Sequence, residues 1–239
     1  MAVKQDIWHG DSIELLPRLH ARRNVRSIIT DPPFGVDNQS NMAVTASGKE
    51  HARKIANDSD PQIAMEVFTD VMTAALPAMM DESDIYIFTS HQVLEEWLVF
   101  TRQLLEPHGY RRKAIMTWEK DGPGMGDLNT WGMGVEFILY FKRGNRLKTA
   151  KRRNAVFHVP QVRPNALIHP HEKPLPLLNA FIEHSTMPGE FVLDPFGGSG
   201  SLARAARSMG RSALCIELDE KNFTMAKRSL DSGHGEGMF

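Results

Sequence analysis

The four residues Asp31-Pro32-Pro33-Phe34 are the part of this sequence best suited to chemistry. Asp31 supplies a carboxylate acceptor, and the prolines carry no N–H, which leaves the Pro32 carbonyl free to accept a second hydrogen bond. Phe34 supplies a flat apolar face on which a planar ring can stack. Together these groups could hold the exocyclic amine of a nucleic-acid base. A strand-ending Asp-Pro turn with a buried phenylalanine is the alternative interpretation.

A second candidate site is the glycine-rich segment DPFGGSG at 194–200. Its glycines permit a tight turn and a close approach of the backbone to a ligand, at the amino end of a helix beginning near Ser199. Glu217 follows Gly197 by twenty residues and ends another apolar run, where a carboxylate can accept hydrogen bonds from both ribose hydroxyls. A simple chain reversal, with Glu217 capping the next helix, is the alternative.

The segment 194–200 matches neither the GxGxxG pattern nor a phosphate-binding P-loop. A cofactor with a pyrophosphate is therefore not favoured. An adenosine cofactor without phosphates fits better, and S-adenosyl-L-methionine is such a cofactor.

Alternating apolar segments place both candidate sites at the ends of predicted strands. The predicted strands are 25–30, 84–89, 112–118, 135–142, 191–193 and 212–216. The predicted helices are 12–19, 62–80, 91–105, 175–184 and 201–209. Asp11 or Ser12 is expected to cap the first of these helices, and Asp219 a further one. This alternation predicts a doubly wound, Rossmann-like α/β sheet in a single domain, 1–239.

Three segments break the alternation and are expected to be loops, which inside a compact domain are usually functional. They are the polar segment 35–61, the glycine-rich segment 121–134 and the basic segment 142–153. The basic residues of the third segment are Lys142, Arg143, Arg146, Lys148, Lys151, Arg152 and Arg153.

The composition excludes several classes of protein. The single cysteine, Cys215, rules out an internal disulfide and a multi-cysteine zinc site, and no metal is predicted. The net charge of -1 favours no particular partner, so only the local basic segment points to nucleic acid. No stretch has the length of a membrane span, and the first thirty residues do not resemble a signal peptide. A cytoplasmic location is therefore expected, with no membrane partner.

Five segments, in this order along the chain, resemble motifs of one family: HGDS at 9–12, DPPF at 31–34, EFILYFK at 136–142, HPHEKP at 169–174 and FGGSG at 196–200. The family is that of the DNA amino-methyltransferases, which carry [DNS]-PP-[YFW] as the catalytic motif and F-x-G-x-G as the cofactor motif. Because the catalytic motif comes first and the cofactor motif last, the sequence resembles the permuted β group.

The resemblance implies direct methyl transfer from S-adenosylmethionine to a flipped base, with Asp31, Pro32, Pro33 and Phe34 as the catalytic residues. Family members with aspartate at the first motif position mostly produce N6-methyladenine, which implies adenine here. Phe34 replaces the commoner tyrosine and keeps the stacking face. C5-cytosine chemistry would need a cysteine nucleophile after a proline, and Cys215 instead follows Leu214 inside a predicted strand.

The resemblance also implies the cofactor contacts. Asp11 is expected to contact the adenine amine of the cofactor, and the HPHEKP segment is expected to line its methionine end. The implied cofactor-binding residues are Asp11, Ser12, Asp31, His169, Lys173, Pro174, Asp194, Phe196, Gly198, Ser199, Gly200 and Glu217, with the cofactor loop at 193–201.

Double-stranded DNA is the implied partner, and the resemblance implies a short recognition insert at 143–168. The seven basic residues of 142–153 are then expected to contact DNA phosphates, with Asn145 and Asn154 as base readers. A solvated charged hairpin is the alternative. The segments 38–58 and 121–134 are expected to assist recognition. Trp118 and Trp131 are candidates to wedge or stack near the base, with core packing favoured for Trp118. A homodimer is compatible with the group.

Three other functions remain open at this stage. The same fold could act on N4 of cytosine, and the methylated nucleoside would distinguish the two bases. A DNA-binding relative without activity would have no physical reason to retain DPPF, the glycine loop and Glu217 together. A dinucleotide oxidoreductase would need GxGxxG and has no use for DPPF.

Overall fold

The computed structural model of this chain describes residues 3–36, 60–122, 129, 131–146, 152–162 and 172–233. Its centre is an eight-stranded sheet with the strand order β1-β8-β7-β2-β3-β5-β4-β6. The strands are β1 Gln5–His9, β2 Val25–Thr30, β3 Met79–Thr89, β4 Arg111–Glu119, β5 Val135–Arg143, β6 Val156–His158, β7 Phe191–Asp194 and β8 Ser212–Glu217.

Helices cover both faces of the sheet. They are α1 Ser12–Leu15, α2 Pro61–Ala75, α3 Leu94–Leu105, α4 Leu175–Ser185, α5 Ser201–Ser208 and α6 Glu220–Ser232. Apolar side chains of α1, α2 and α3 form one core cluster, and those of α4, α5 and α6 form a second. Two cores separated by one sheet are the signature of a doubly wound α/β fold, so the predicted fold class is confirmed.

Several predicted boundaries were wrong. The helix predicted over 62–80 ends at Ala75, and β3 begins at Met79, because Pro77 converts the intervening residues into a turn of 3-10 helix. Pro17 likewise limits α1 to four residues, followed by a second 3-10 turn. The strands β1 and β6 were not predicted. Both lie at sheet edges and are short, which leaves little apolar pattern to detect.

The two candidate motifs follow neighbouring strands. β2 and β7 pair in parallel at the centre of the sheet. From β7 the chain crosses through α5 to β8 on one side, and from β2 it crosses through α2 to β3 on the other. The β2–β7 junction is therefore the topological switch point, where open α/β sheets form a ligand crevice at the carboxyl ends of their strands.

Gly35 lets the DPPF turn lie against the start of α2. Its φ is +79°, and a methyl group there would overlap the backbone of Asp60 and Pro61. The side chain of Asp60 caps α2 by accepting from the backbone N–H of Gln62 at 2.7 Å. A residue without a side chain is needed here both for the backbone conformation and for the space.

We predict that Gly35→Ala lowers the free energy of unfolding substantially more than Gly189→Ala. Gly189 is a matched control because its φ is +82° and nothing lies within 4 Å of an added methyl group. The left-handed conformation should cost both variants about 1–2 kcal/mol, and overlap should add about 1–3 kcal/mol at Gly35 alone. Urea unfolding measures both. Equal losses would contradict the tight contact with α2.

Glu190 lies just before β7, at the amino ends of the parallel strands and opposite the crevice. Its carboxylate lies 2.9 Å from Arg26 and 2.9 Å from Arg146, and it accepts from the backbone N–H of Met187 at 2.7 Å. Burial would raise the pKa of Glu190, but these partners outweigh burial and lower it. The carboxylate thus links two segments to β7: the start of β2, through Arg26, and the residues after β5, through Arg146.

We predict that Glu190→Gln lowers the free energy of unfolding by about 2 kcal/mol at neutral pH, since hydrogen bonds to a charged group are lost. The depressed pKa means that this stabilisation is fully present above the usual value of 4.5 and disappears as the pH falls through the folded-state value. Unfolding curves of both proteins should therefore converge in acid. Glu96→Gln, at an exposed position of α3, is the control, and its free energy of unfolding should match that of the unaltered protein at every pH.

Candidate active site

The candidate active site begins where β2 and β7 end side by side. The Thr30 hydroxyl donates to Asp194 Oδ1 at 2.8 Å, which joins the last residues of the two strands. The backbone N–H of Phe196 donates to the same oxygen at 3.0 Å. Burial raises the pKa of Asp194 to about 8, despite the stabilising hydrogen bonds from Thr30 and Phe196. A buried carboxyl group of this kind binds a cation more readily than an anion.

The glycine loop turns directly beside Glu217. The Gly198 N–H donates to Glu217 Oε2 at 2.7 Å, and the Asp219 N–H donates to Oε1 at 2.9 Å. A side chain added at Gly198 would meet almost nothing, so this part of the loop faces open space. Burial raises the pKa of Glu217. Oε1 also accepts from the side-chain amide of Asn222 at 3.5 Å, whereas the second lone pair of Oε2 leaves acceptor capacity for a ligand hydroxyl.

Residues Asp11 and Ser12 meet the same loop from β1. The Ser12 hydroxyl donates to the Pro195 carbonyl at 2.6 Å, and the Gly10 N–H donates to the Glu217 carbonyl at 3.0 Å. The Asp11 side chain caps α1 by accepting from the Ile13 N–H at 2.8 Å, as predicted. Segments from the two ends of the chain are thus brought together at one edge of the sheet.

The remaining predicted residues of the glycine loop have structural contacts. The ring of Phe196 stacks on Phe68 of α2, with centroids 6.2 Å apart. Ser199 is buried, and the Gly200 N–H donates to the Gly197 carbonyl at 2.8 Å, just before α5. These contacts hold the loop in place. The cofactor role predicted for these three residues remains a prediction.

The DPPF turn presents its acid to a lysine. Asp31 Oδ2 lies 2.7 Å from Lys173 Nζ, while Pro32 is buried and Pro33 is half-buried. The ring of Phe34 is half-buried and stands edge-on to Trp97, with centroids 6.2 Å apart. The structure therefore brings Asp31 to the predicted site, whereas the stacking role of Phe34 remains a prediction.

Lys173 is bound on a second side by Glu136, which sequence analysis did not identify as a site residue. Glu136 Oε2 lies 2.9 Å from Lys173 Nζ, and its other oxygen lies 2.5 Å from Lys120 Nζ. Burial would raise the pKa of Glu136, but the two lysines lower it to about 2. Glu136 opens the family-like segment 136–142, and an acidic residue at the start of an apolar strand was the available signal.

The HPHEKP segment is described only in part, and its predicted cofactor role stays a prediction. His169 lies outside the described residues. Glu172 forms a buried ion pair with Arg204 of α5, and Pro174 is the first residue before α4. Lys173, which is expected at the methionine end of the cofactor, contacts the two carboxylates Asp31 and Glu136.

Much of the basic segment does not reach the site. β5 runs antiparallel to β3 and pairs Arg143 with Ser83, so it ends at the sheet edge opposite Thr30. Arg143 there donates to the carbonyls of Met79, at 3.2 Å, and Met80, at 2.6 Å. The expectation of DNA contacts from this end of the segment overlooked the reversal of β5, which carries the chain away from the carboxyl edge.

Other basic residues of the segment also have internal contacts. Lys142 donates to the Arg146 carbonyl at 2.9 Å, and Arg146 pairs with Glu190. Arg153 pairs with Glu183 of α4. Arg152 is exposed, as are the predicted base readers Asn145 and Asn154. Lys148 and Lys151 lie outside the described residues, as does the segment 38–58.

At the carboxyl edge, the Trp131 side chain is 91% exposed, whereas Trp118 is buried and donates to the Val159 carbonyl at 2.7 Å. In the described part of the chain, no cluster of three or more histidine, cysteine or acidic side chains could hold a metal ion. None of the described helices is long and apolar enough to cross a membrane.

Known proteins resemble this chain in sequence. The type II methyltransferase M.HpaI of Haemophilus parainfluenzae is 35% identical over 93% of this chain and 73% of its own length. The type II methyltransferase M2.MboI of Moraxella bovis is 24% identical over 93% of this chain and 86% of its own. The DNA adenine methyltransferase YhdJ of Escherichia coli is 24% identical over 94% of this chain and 82% of its own.

Solved structures share the fold. The M1.HpyAVI complex with SAM has a TM-score of 0.68 and 23% identity, with 95% of this chain and 98% of that chain covered. The cytosine-N4-specific PvuII DNA methyltransferase has a TM-score of 0.66 and 14% identity, with 98% and 92% covered. A family model described as DNA methylase matches residues 25–228. Because that match includes both motif turns and most of the sheet, the chain belongs to the DNA methylase family.

Proposed function

We propose that this DNA methylase transfers a methyl group from S-adenosylmethionine to N6 of an adenine flipped out of duplex DNA. The observation that carries the proposal is the position of Asp31, an acceptor at the end of β2, beside the glycine loop and Asp194 at the end of β7. Acceptor and loop share one crevice, as a transfer between two ligands requires.

The residues of the crevice fit an adenosine cofactor that carries a positive charge and no phosphate. Gly198 leaves open space, and the Glu217 carboxylate lies next to it to accept from the ribose hydroxyls. Asp11, which follows β1, is assigned to the adenine amine, and Asp194 is assigned to the cationic end. The cofactor supplies a methyl group bonded to a positively charged sulfur, which makes that carbon electrophilic.

The catalytic work of the chain is to hold the amine. Asp31 accepts one hydrogen from the exocyclic nitrogen, and the Pro32 carbonyl accepts the other. Both bonds pull the nitrogen lone pair out of conjugation with the ring and direct it toward the methyl group. Phe34 supplies the stacking face for the flipped base, after its ring turns from Trp97. The reaction needs no covalent intermediate with the protein.

Adenine is favoured over cytosine on two grounds. The first motif residue is Asp31, which in the family pattern accompanies N6-adenine products, and the relative YhdJ is named a DNA adenine methyltransferase. The alternative product is N4-methylcytosine, because the PvuII enzyme with a similar fold is cytosine-N4-specific. Both bases present an exocyclic amine, so the same acceptors would serve either.

The DNA-binding face is the carboxyl edge of the sheet, where exposed Trp131 precedes the start of β5. An exposed aromatic ring can fill the gap left by a flipped base. Within the basic segment, Arg152 is exposed for a phosphate contact, whereas Lys142, Arg143 and Arg146 have structural roles that explain them without DNA. The homodimer and the cytoplasmic location stay predictions.

The first test is product analysis. The purified protein, unmethylated genomic DNA and methyl-labelled S-adenosylmethionine should yield labelled N6-methyladenine after digestion to nucleosides. Labelled N4-methylcytosine would overturn the base assignment and keep the reaction class. Absence of any labelled nucleoside, with cofactor binding intact, would contradict the proposed reaction.

Asp31→Asn should lower turnover by about 100-fold or more, because an amide replaces one acceptor oxygen by a donor where the transition state needs an acceptor. Binding of S-adenosylhomocysteine, measured by calorimetry, should change far less. Asp81→Asn is the matched control, since Asp81 is exposed and pairs with Arg23 at the opposite edge. Near-full turnover of Asp31→Asn would remove Asp31 from the mechanism.

Asp194 should make the affinity for a cofactor depend on the charge of the cofactor's sulfur and on the pH. Because its pKa is about 8, the carboxyl group is mostly neutral at pH 6, and a cationic sulfur favours its ionised form. The affinity for S-adenosylmethionine, divided by that for neutral S-adenosylhomocysteine, should therefore rise about tenfold between pH 6 and pH 8. The α-amino group common to both ligands cancels in this ratio. Asp194→Asn should make the ratio independent of pH, and a flat ratio in the unaltered protein would refute the assignment.

A further inference from the structure

Lys173 is held in one position by four groups. Its ammonium contacts Asp31 at 2.7 Å and Glu136 at 2.9 Å. The same nitrogen lies 4.9 Å from the ring centroid of Phe88 and 5.9 Å from that of Trp118. Burial would lower the pKa of Lys173, but the two carboxylates raise it above its usual value. A buried lysine surrounded in this way stays charged and has little freedom to move.

The backbone at Lys173 is fixed as well. The preceding residue, Glu172, forms a buried ion pair with Arg204, and the following residue, Pro174, begins the entry into α4. Lys173 is therefore delivered to Asp31 from a segment anchored to both α4 and α5. A positioning role requires such an anchored backbone, because a mobile lysine would not define the orientation of its partner.

The charges around the lysine balance. Two carboxylates, Asp31 and Glu136, face two ammonium groups, Lys173 and Lys120. The carboxyl group of Asp194 lies close enough to be affected by the charge of Asp31. Charged side chains thus surround Asp31 and its lysine from β5, from β7 and from the segments after β4 and before α4.

We propose that Lys173 is a positioning residue that keeps Asp31 ionised and oriented as a hydrogen-bond acceptor for the substrate amine, and not as a general base. The inference rests on the proposed function and deepens it. Asp31 Oδ2 lies 2.7 Å from Lys173 Nζ, a contact that orients the carboxylate plane, and Oδ1 is the oxygen assigned to the substrate amine.

The assignment specifies where the atoms and charges go. The amine lone pair forms the new N–C bond, while the electron pair of the broken C–S bond remains on sulfur. The nitrogen then carries one proton too many. An aspartate stabilised by Lys173 is a weak base, so that proton leaves to water after the transfer, and Asp31 remains a carboxylate throughout the cycle.

The pH dependence of turnover tests this role. In Lys173→Met, the acid limb of the kcat profile should move to higher pH by about one unit or more, because the cationic partner that favours the carboxylate is gone. At pH 7 kcat should fall about tenfold or more, with a smaller change in KM for S-adenosylmethionine. Lys173→Arg should return the acid limb part of the way to its original pH, since it restores the positive charge.

A remote lysine provides the matched control. Lys227 of α6 pairs with Asp6 of β1 at 3.0 Å, outside the crevice, so Lys227→Met should leave the profile unchanged. The double variant Lys173→Met with Glu136→Gln guards against misfolding, because it leaves no excess negative charge next to Lys120. An unshifted acid limb in a folded Lys173→Met protein would overturn the inference. So would a change confined to KM for the cofactor, since Lys173 would then bind the cofactor itself.

A second measurement does not depend on activity. Protein labelled with carboxyl-carbon ¹³C aspartate can be titrated by NMR, with the Asp31 signal assigned from Asp31→Asn. In Lys173→Met, Asp31 should take up its proton at higher pH than in the unaltered protein. An identical titration would refute the role of Lys173 even if the proposed reaction is correct. Failure of the methylation assay with a shifted titration would instead refute only the proposed function.

Discussion

The hydrogen bond from Thr30 to Asp194 is the contact on which the rest of this site depends. It joins the carboxyl ends of two central strands whose crossovers leave in opposite directions, and such a junction opens a crevice between the loops. One loop carries the acceptor Asp31 and the other carries the glycines beside Glu217. A shift of one strand by a single residue would separate the groups that hold the base from the groups that hold the cofactor. The precision of the chemistry is therefore a property of strand register, which the fully buried β2 enforces.

The charged network around Lys173 bears on a second requirement, which is to keep the partly buried carboxylate of Asp31 ionised. Isolated burial of Asp31 would favour its neutral form. The lysine offsets that tendency, and Glu136 together with Lys120 keeps the lysine from becoming an excess charge. At Asp194, on the next strand, burial raises the pKa, and the nearby charges of Asp31 and Glu217 raise it further. Two acids at neighbouring strand ends thus have different surroundings, a lysine at Asp31 and burial at Asp194.

Sequence reasoning succeeded where the signal is local and failed where it depends on strand direction or distant pairing. The turns at Asp31 and Asp194 were predictable because a short apolar run followed by proline or glycine marks a strand end. The Glu217 contact with the glycine loop followed from the spacing of one crossover unit. The reversal of β5 leaves no local mark, and it moved Arg143 to the far edge. The pairing of Lys173 with Asp31 joins residues far apart in the chain, and a lysine beside a proline does not reveal its partner.

The pairing of β2 with β7 places Val25 beside Phe191, and the pairing of β1 with β8 places Gln5 beside Ala213. During synthesis the ribosome releases β1 and β2 long before the strands that lie between them in the sheet. Until β7 is synthesised, one side of β2 has no strand to pair with. Such non-local pairing slows folding, and the unpaired side of β2 is exposed to aggregation. The crevice is consequently among the last features of the molecule to form. An unfinished chain has no place to hold a methyl donor, so methylating activity can only follow the completion of the sheet.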